Sequence, residues 1–196
     1  MRKIAIIGKC SNSRSDAPMG LPGWEIWGLA WDPLPICHRM FEMHQEWRNF
    51  LGNPTDAEAH RSWLSDQLVP VYMLKKEHDI PTSVEYPMDE VAESIGRTCY
   101  GTPYIESSIA YMMALALLEL KAGDRIGIWG CDLSTGGEYA YQRPNMEYLI
   151  GLARGRGIKV YVPAQNALLS PLRPVPYGLN NPDGTVPVFS SSTGQK

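Results

Sequence analysis

The second half of the chain alternates between apolar helix and strand patterns, and this alternation limits the fold more than any other feature. Residues 106–121 repeat apolar side chains at helical spacing, and Gly123 follows their end. The sequence after Gly123 predicts a strand, a helix with Pro144 in its first turn and a strand, over residues 125–133, 144–156 and 159–163. Because strands separated by helices pair in parallel through crossovers, the pattern predicts a parallel sheet.

The first half contains shorter apolar segments that are typical of buried strands. The run KIAIIG at residues 3–8 ends in glycine, and further strands are predicted over residues 24–30, 40–44 and 70–74. Helices are predicted over residues 57–68 and 87–95. The chain is therefore predicted to be of the α/β class. It forms a single Rossmann-like domain over residues 1–169, with a mostly parallel sheet flanked by helices.

Residues 170–196 differ in composition from the rest, because Pro, Gly, Asn and Ser dominate and no periodicity is present. This segment is predicted to be an extended C-terminal tail. It either clasps the domain or a neighbouring subunit, which would make it a homo-oligomer contact, or it is disordered.

Composition narrows the function classes. Hydrophobic residues make up 44% of the chain and the formal net charge is -3, which does not favour a general nucleic-acid grip. A nucleic acid stays open only as an acceptor. The longest apolar run, residues 109–118, is too short to span a bilayer, so no membrane association is expected.

The four cysteines show no CxxC spacing, which predicts neither a zinc site nor a disulfide: Cys10, Cys37, Cys99 and Cys131. The N-terminus has no secretory pattern, and a cytoplasmic protein is expected. No metal and no cofactor is predicted.

The loop after the first predicted strand is a candidate ligand site, because open parallel sheets bind ligands beyond the carboxyl ends of their strands. Its small polar residues are predicted to cradle a phosphate, with Lys9 or Arg14 adding positive charge. The candidate ligand-binding residues are Gly8, Lys9, Ser11, Asn12 and Ser13. The alternative is a polar surface loop, because neither GxGxxG nor a Walker lysine pattern is present.

Two candidate catalytic groups stand at the end of the third predicted strand. A histidine beside a carboxylate can act as a general acid or base near neutral pH, which nominates Glu42 and His44. The alternative is a structural or exposed histidine.

The start of the helix over residues 106–121 offers Glu106, Ser107 and Ser108 for a phosphate or a sugar. The alternative is that one serine only caps the helix. N-capping and ligand binding at this helix start are compatible roles. Asp132, at the end of the following strand, is predicted to present its carboxylate to the ligand and is a candidate catalytic residue. Capping of a loop is the alternative for Asp132.

The loop before the last helix adds Glu138 as a candidate acid, and Gln142 and Arg143 as ligand-binding residues. Glu147 is either an acid or a partner of the helix dipole. If Asp132 and Arg143 contact the ligand, alanine at either position weakens binding and leaves the fold intact. If Asp132 caps a loop and Arg143 pairs with Glu147, the first variant loses stability and the second changes little.

Residues 104–163 resemble small Rossmann-like proteins encoded by bacteriophages, and their layout is similar to sialyltransferase-like and motility-associated glycosyltransferase-like domains. In those families a Ser-rich helix start and a Gly-x-Asp strand end surround a nucleotide-sugar. The matching residues are Ser107-Ser108 and Gly130-Cys131-Asp132. A second resemblance, over residues 147–160, is to nucleoside deoxyribosyltransferases, and it implies Glu147 as a nucleophile.

Both resemblances imply a protein that binds a nucleotide or nucleotide-sugar, and an enzyme of glycosyl transfer or N-glycosidic cleavage. Its acid or base would come from Glu42, His44, Asp132 or Glu138. Two other classes stay open. One is a non-catalytic module that sequesters a nucleotide. The other is a structural or assembly protein of a phage, with aromatic side chains and the tail at subunit contacts.

Overall fold

The computed structural model describes residues 1–48, 54–134 and 137–170, and within these ranges the chain forms seven strands and five helices. In chain order they are β1 (Lys3–Ile7), α1 (Ser11–Arg14), β2 (Glu25–Leu29), β3 (Arg39–Glu42), α2 (Pro54–Ser65), β4 (Val71–Met73), β5 (Ser83–Glu85), α3 (Met88–Ile95), α4 (Ser108–Glu119), β6 (Arg125–Trp129), α5 (Tyr139–Gly155) and β7 (Lys159–Tyr161).

The strands form one sheet in the order β5-β4-β3-β2-β1-β6-β7, and every neighbouring pair is parallel. The chain moves outward from β1 to β5 and then returns to the other side of β1, where Ile7 lies opposite Trp129. The predicted α/β class with a sheet flanked by helices is confirmed, and the described sheet is parallel throughout.

Helix α4 is the centre of the larger core because it is apolar on all sides. Eight of its residues are buried, and it packs against α3, α5 and the strands β1, β2 and β3. Ile4 and Ile6 of β1 face this core, whereas Ala5 and Ile7 pack on the opposite face with Trp129. The alternation follows from the two-residue period of a strand. No helix among the described residues is long and apolar enough to cross a membrane.

Four charged side chains form a closed ring that links the beginnings of β1, β2 and β3 to the end of α4. Arg2 pairs with Glu25 at 2.6 Å and with Glu119 at 2.7 Å, and Arg39 pairs with the same carboxylates at 2.7 and 2.5 Å. Arg39 also lies over the Trp27 ring. Because each charge has two opposite neighbours and is half-buried, the ring is worth more than isolated surface pairs.

Several predicted boundaries are wrong, and each error has a local cause. Helix α5 begins at Tyr139, so Pro144 lies inside the helix instead of in its first turn. Strand β6 ends at Trp129 because Gly130 adopts a positive φ angle of 63°, which turns the chain before Asp132. Leu133, after Asp132, has a second positive φ angle of 51°. The elements α1 and β5, of four and three residues, were not predicted, because a hydrophobic period needs a longer segment.

Of the predicted tail, Ser170 is described and residues 171–196 lie outside the described residues. The two roles proposed for the tail stay predictions.

The ends of β1 and β6 approach each other through glycine backbone. Gly8 donates to the Trp129 carbonyl at 2.8 Å, and Cys10 donates to the Gly130 carbonyl at 2.9 Å. A Cβ atom on Gly8 would lie 2.2 Å from the Gly130 oxygen, and one on Gly130 would lie 2.5 Å from the Gly8 oxygen. Neither position accommodates a side chain without movement of the backbone.

We expect Gly8→Ala to lower the free energy of unfolding by about 2–3 kcal/mol, since the added methyl group meets backbone that cannot rotate away. Urea unfolding of both proteins measures the difference. Gly151→Ala is the matched control, because no atom of the described residues lies within 4 Å of its Cβ position in α5, and alanine favours a helix over glycine. A Gly8→Ala protein as stable as the wild type would contradict the close contact.

Candidate functional site

A cavity of about 880 Å³ lies at the carboxyl ends of β1, β2, β3 and β6, where the strand order reverses across β1. Open parallel sheets bind ligands at such a point. The wall is formed by Gly8, Lys9, Cys10, Leu29, Met43, His44, residues 105–109, Tyr111, residues 130–134, Glu138, Tyr139, Tyr141 and Gln142.

The structure brings most of the predicted site residues to this wall. They are Gly8, Lys9, His44, Glu106, Ser107, Ser108, Asp132, Glu138 and Gln142. The other predicted residues do not line the cavity: Ser11, Asn12, Ser13, Glu42 and Arg143. Ser11 is exposed at the start of α1. The remaining four are held in contacts described below.

Ser13 is a structural residue behind the glycine contact. Its side chain is fully buried, and its Oγ accepts from the Gly130 N–H at 2.9 Å and donates to Asn166 Oδ1 at 2.7 Å. The neighbouring Arg14 donates to the Gly8 carbonyl at 2.6 Å and pairs with both carboxylate oxygens of Asp32. These bonds hold the loop after β1 in place, and they occupy groups that the sequence nominated for phosphate.

Asp132 joins three segments at the rim of the cavity. Its Oδ1 accepts from Asn12 Nδ2 at 2.9 Å and from the Ala167 N–H at 2.6 Å, and its Oδ2 accepts from the Ser134 hydroxyl. The Ser134 hydrogen bond is the largest cause that lowers the pKa of Asp132 below its ordinary value. Asp132 therefore caps a loop while it also lines the cavity.

The start of α4 is positioned by a residue that sequence reasoning missed. Asn145 of α5 is fully buried, accepts from the Glu106 N–H at 3.0 Å and donates to the Tyr104 carbonyl at 2.7 Å. Ser107 caps α4 by accepting from the Ala110 N–H at 3.1 Å. A polar residue among the apolar positions of a predicted helix was the available signal for Asn145.

Arg143 lies in a surface pair instead of in the cavity wall. Its Nε donates to Glu147 Oε1 at 2.9 Å, and its Nη2 donates to the Ser170 carbonyl at 2.8 Å. Glu147 Oε1 also accepts from the Leu169 N–H at 3.3 Å. The two side chains thus attach the segment after β7 to α5, and neither lines the cavity.

Glu42 and His44 form the closest acid–base pair at the cavity. His44 is on the wall with its side chain 40% exposed, whereas Glu42 behind it is only 3% exposed. Glu42 Oε1 lies 2.5 Å from His44 Nδ1 and accepts from the His44 backbone N–H at 3.1 Å. A proton held on Nδ1 by the carboxylate leaves the lone pair of a neutral imidazole on Nε2.

Glu42 is an anion at ordinary pH despite its burial. Burial by itself raises its pKa, but the hydrogen bond from His44 and the close contact with His60 outweigh that effect and lower the pKa to about 2. The imidazole on the wall is therefore backed by a negative charge.

His60 of α2 is the second histidine on Glu42, and sequence reasoning missed it. Its Nε2 lies 3.1 Å from Glu42 Oε2, and the side chain is 1% exposed. The Trp31 ring packs edge-on against it at 5.2 Å and the Trp47 ring at 6.3 Å. The sequence held one signal for the burial of His60. His60 precedes Leu64 by one helical turn, which places both on the buried face of α2.

The charges on the wall are mostly negative. Glu106, Asp132 and Glu138 contribute three carboxylates, and among the described wall residues Lys9 is the one lysine or arginine. Among the described residues, no group of three or more histidine, cysteine or acidic side chains could hold a metal ion. The four cysteines are free thiols.

We expect the stability contributed by Glu42 to be present above pH 4.5 and to be lost as the pH falls toward 2, because the folded-state pKa lies below the ordinary value of 4.5. A shift of that size corresponds to about 3 kcal/mol. Unfolding of the wild type and Glu42→Gln between pH 2 and 7 measures this contribution. The difference between the two proteins should shrink on acidification, and a constant difference over this range would contradict a charged Glu42.

The chain matches no family model, no curated protein and no solved structure. The geometry of the cavity and the chemistry of its wall are thus the basis for a functional assignment.

Proposed function

We propose that the protein is an enzyme of glycosyl transfer or N-glycosidic cleavage that binds a nucleoside or nucleotide-linked sugar in this cavity. The observation that supports the proposal is the 2.5 Å contact between His44 on the wall and the buried Glu42. An imidazole oriented by a carboxylate can take a proton from an attacking hydroxyl and return it to a leaving group.

In this reaction His44 accepts the proton of a water or an acceptor hydroxyl on Nε2. The Glu42 carboxylate stabilises the imidazolium that forms, because it lies against Nδ1. As the glycosidic bond breaks, positive charge develops on the sugar ring. Glu106, Asp132 and Glu138 on the wall are the carboxylates available to stabilise that charge.

The size and lining of the cavity suit such a ligand. Its volume of about 880 Å³ falls in the range of small-molecule sites. Tyr111, Tyr139 and Tyr141 offer rings for stacking on a base, and the hydroxyls of Ser107 and Ser108 offer hydrogen bonds to a sugar. The described part of the wall carries three carboxylates and one lysine, so it repels a strongly negative ligand. A ligand of low negative charge therefore fits better than a polyphosphate.

A non-catalytic nucleotide-binding module is the second candidate. It is favoured by the bonds that hold Asp132 in a loop and by the pairing of Arg143 with Glu147, which leave few reactive groups at the wall. The two functions differ in one outcome, because the module binds the ligand and leaves it chemically unchanged.

We expect His44→Ala to lower turnover about 10²–10⁴-fold while it changes ligand affinity little, because the imidazole transfers a proton in the transition state. Chromatographic detection of released base or transferred sugar measures turnover. His78→Ala is the matched control, since this exposed histidine lies outside the cavity wall. Full turnover in His44→Ala would contradict the assignment, and binding without turnover in the wild type would favour the module.

We also expect nucleosides to raise the melting temperature more than the corresponding diphosphates at low ionic strength, because the wall carboxylates repel phosphate. A thermal-shift series over nucleosides, monophosphates, diphosphates and nucleotide-sugars measures the effect. A larger shift with diphosphates would contradict the charge argument, and no shift with any member would contradict the ligand class.

A further inference from the structure

His60 has no part in the proposed reaction, yet it contacts the carboxylate that orients His44. The two oxygens of Glu42 point to different histidines: Oε1 lies 2.5 Å from His44 Nδ1, and Oε2 lies 3.1 Å from His60 Nε2. His44, Glu42 and His60 thus form a series of contacts that runs from the cavity wall into the interior.

We propose that His60 is a positioning residue for His44, which acts by holding Oε2 of Glu42 so that Oε1 stays directed at the His44 ring. The importance of this link for catalysis rests on the proposed function. The link itself exists in the ligand-free protein and can be measured there.

Two elements are needed to fix the Glu42 carboxylate. The terminal torsion of a glutamate is broad, so a contact at one oxygen leaves the group free to rotate. His44 follows Glu42 by two residues and approaches one oxygen, whereas His60 comes from α2 and approaches the other. Contacts from both sides hold the carboxylate plane and place an imidazole nitrogen against each oxygen of a buried charge.

Nε2 of His60 is the ring nitrogen on the side of the carboxylate. It lies 3.1 Å from Glu42 Oε2, but the contact falls outside the geometry of a regular hydrogen bond, and among the described residues neither Nε2 nor Nδ1 has a hydrogen-bond partner. With a proton on Nε2 the ring would donate toward Glu42, and Nδ1 would be left as an acceptor.

The aromatic rings around His60 restrict its position. Trp31 and Trp47 pack edge-on against the imidazole, and Trp31 also packs edge-on against Trp63 at 5.9 Å. Trp31 adopts a φ of 55°, which is rare for a bulky residue and persists only where the surroundings impose it. Trp31 and Trp47, which we call the tryptophan cage, therefore hold the His60 ring in the position from which it contacts Glu42.

The test compares His60→Phe with His60→Gln by NMR of the ligand-free protein labelled with ¹⁵N in its imidazoles. Phenylalanine fills the space of the imidazole in the tryptophan cage but has no N–H group. The glutamine amide can still donate to Glu42 Oε2. We expect the fraction of neutral His44 with its proton on Nδ1 to fall in His60→Phe and to return toward the wild-type fraction in His60→Gln. An unchanged His44 tautomer in folded His60→Phe would overturn the proposal.

If His60→Phe does not fold, His60→Asn replaces it, because its amide is one methylene too short to reach Glu42. The same loss of the Nδ1 tautomer is then expected, and a wild-type tautomer overturns the proposal. In a protein with turnover, the donor-free variant should lower kcat with little change in KM, and His60→Gln should recover it. Absence of any turnover would refute the proposed function and leave the NMR result to decide the role of His60.

Discussion

The backbone contact between Gly8 and Gly130 is the constraint on which the arrangement of the site depends. Two parallel strands end side by side there with no side chain between them, and Gly130 turns the chain out of β6 with a positive φ of 63°. Ser13 reinforces the contact by accepting from the Gly130 N–H. The loops that follow both strands line the cavity, with Gly8, Lys9 and Cys10 after β1 and residues 130–134 after β6.

Most polar groups near the cavity hold the loops, and few are left for chemistry. Asn145 fixes the turn before α4, Asp132 joins the loops after β1, β6 and β7, and Glu147 attaches the last described segment to α5. The pair of Glu42 and His44 differs from these, since its imidazole lines the cavity and its carboxylate is buried. That difference between scaffold and reactive group is the main argument for catalysis at His44.

Local patterns predicted the fold class and the place of the cavity, while long-range contacts were beyond them. The parallel sheet followed from the alternation of helix and strand. The wall position of Gly8 and His44 followed from the strand-end rule, and that of Ser107 followed from the ligand preference of a helix start. Glu42 and His44 are two residues apart, so their pairing was visible. His60 and Asn145 meet their partners through packing of α2 and α5, which no sequence period encodes.

The tryptophans around His60 give the molecule an internal optical reporter. Trp31 and Trp47 each form a T-shaped contact with the imidazole, and Trp31 forms another with Trp63. Indole emission depends on what packs against the ring, so a shift of the His60 imidazole changes the fluorescence of this cluster. A movement of Glu42 that shifts His60 is therefore measurable in the emission of three tryptophans that do not line the cavity.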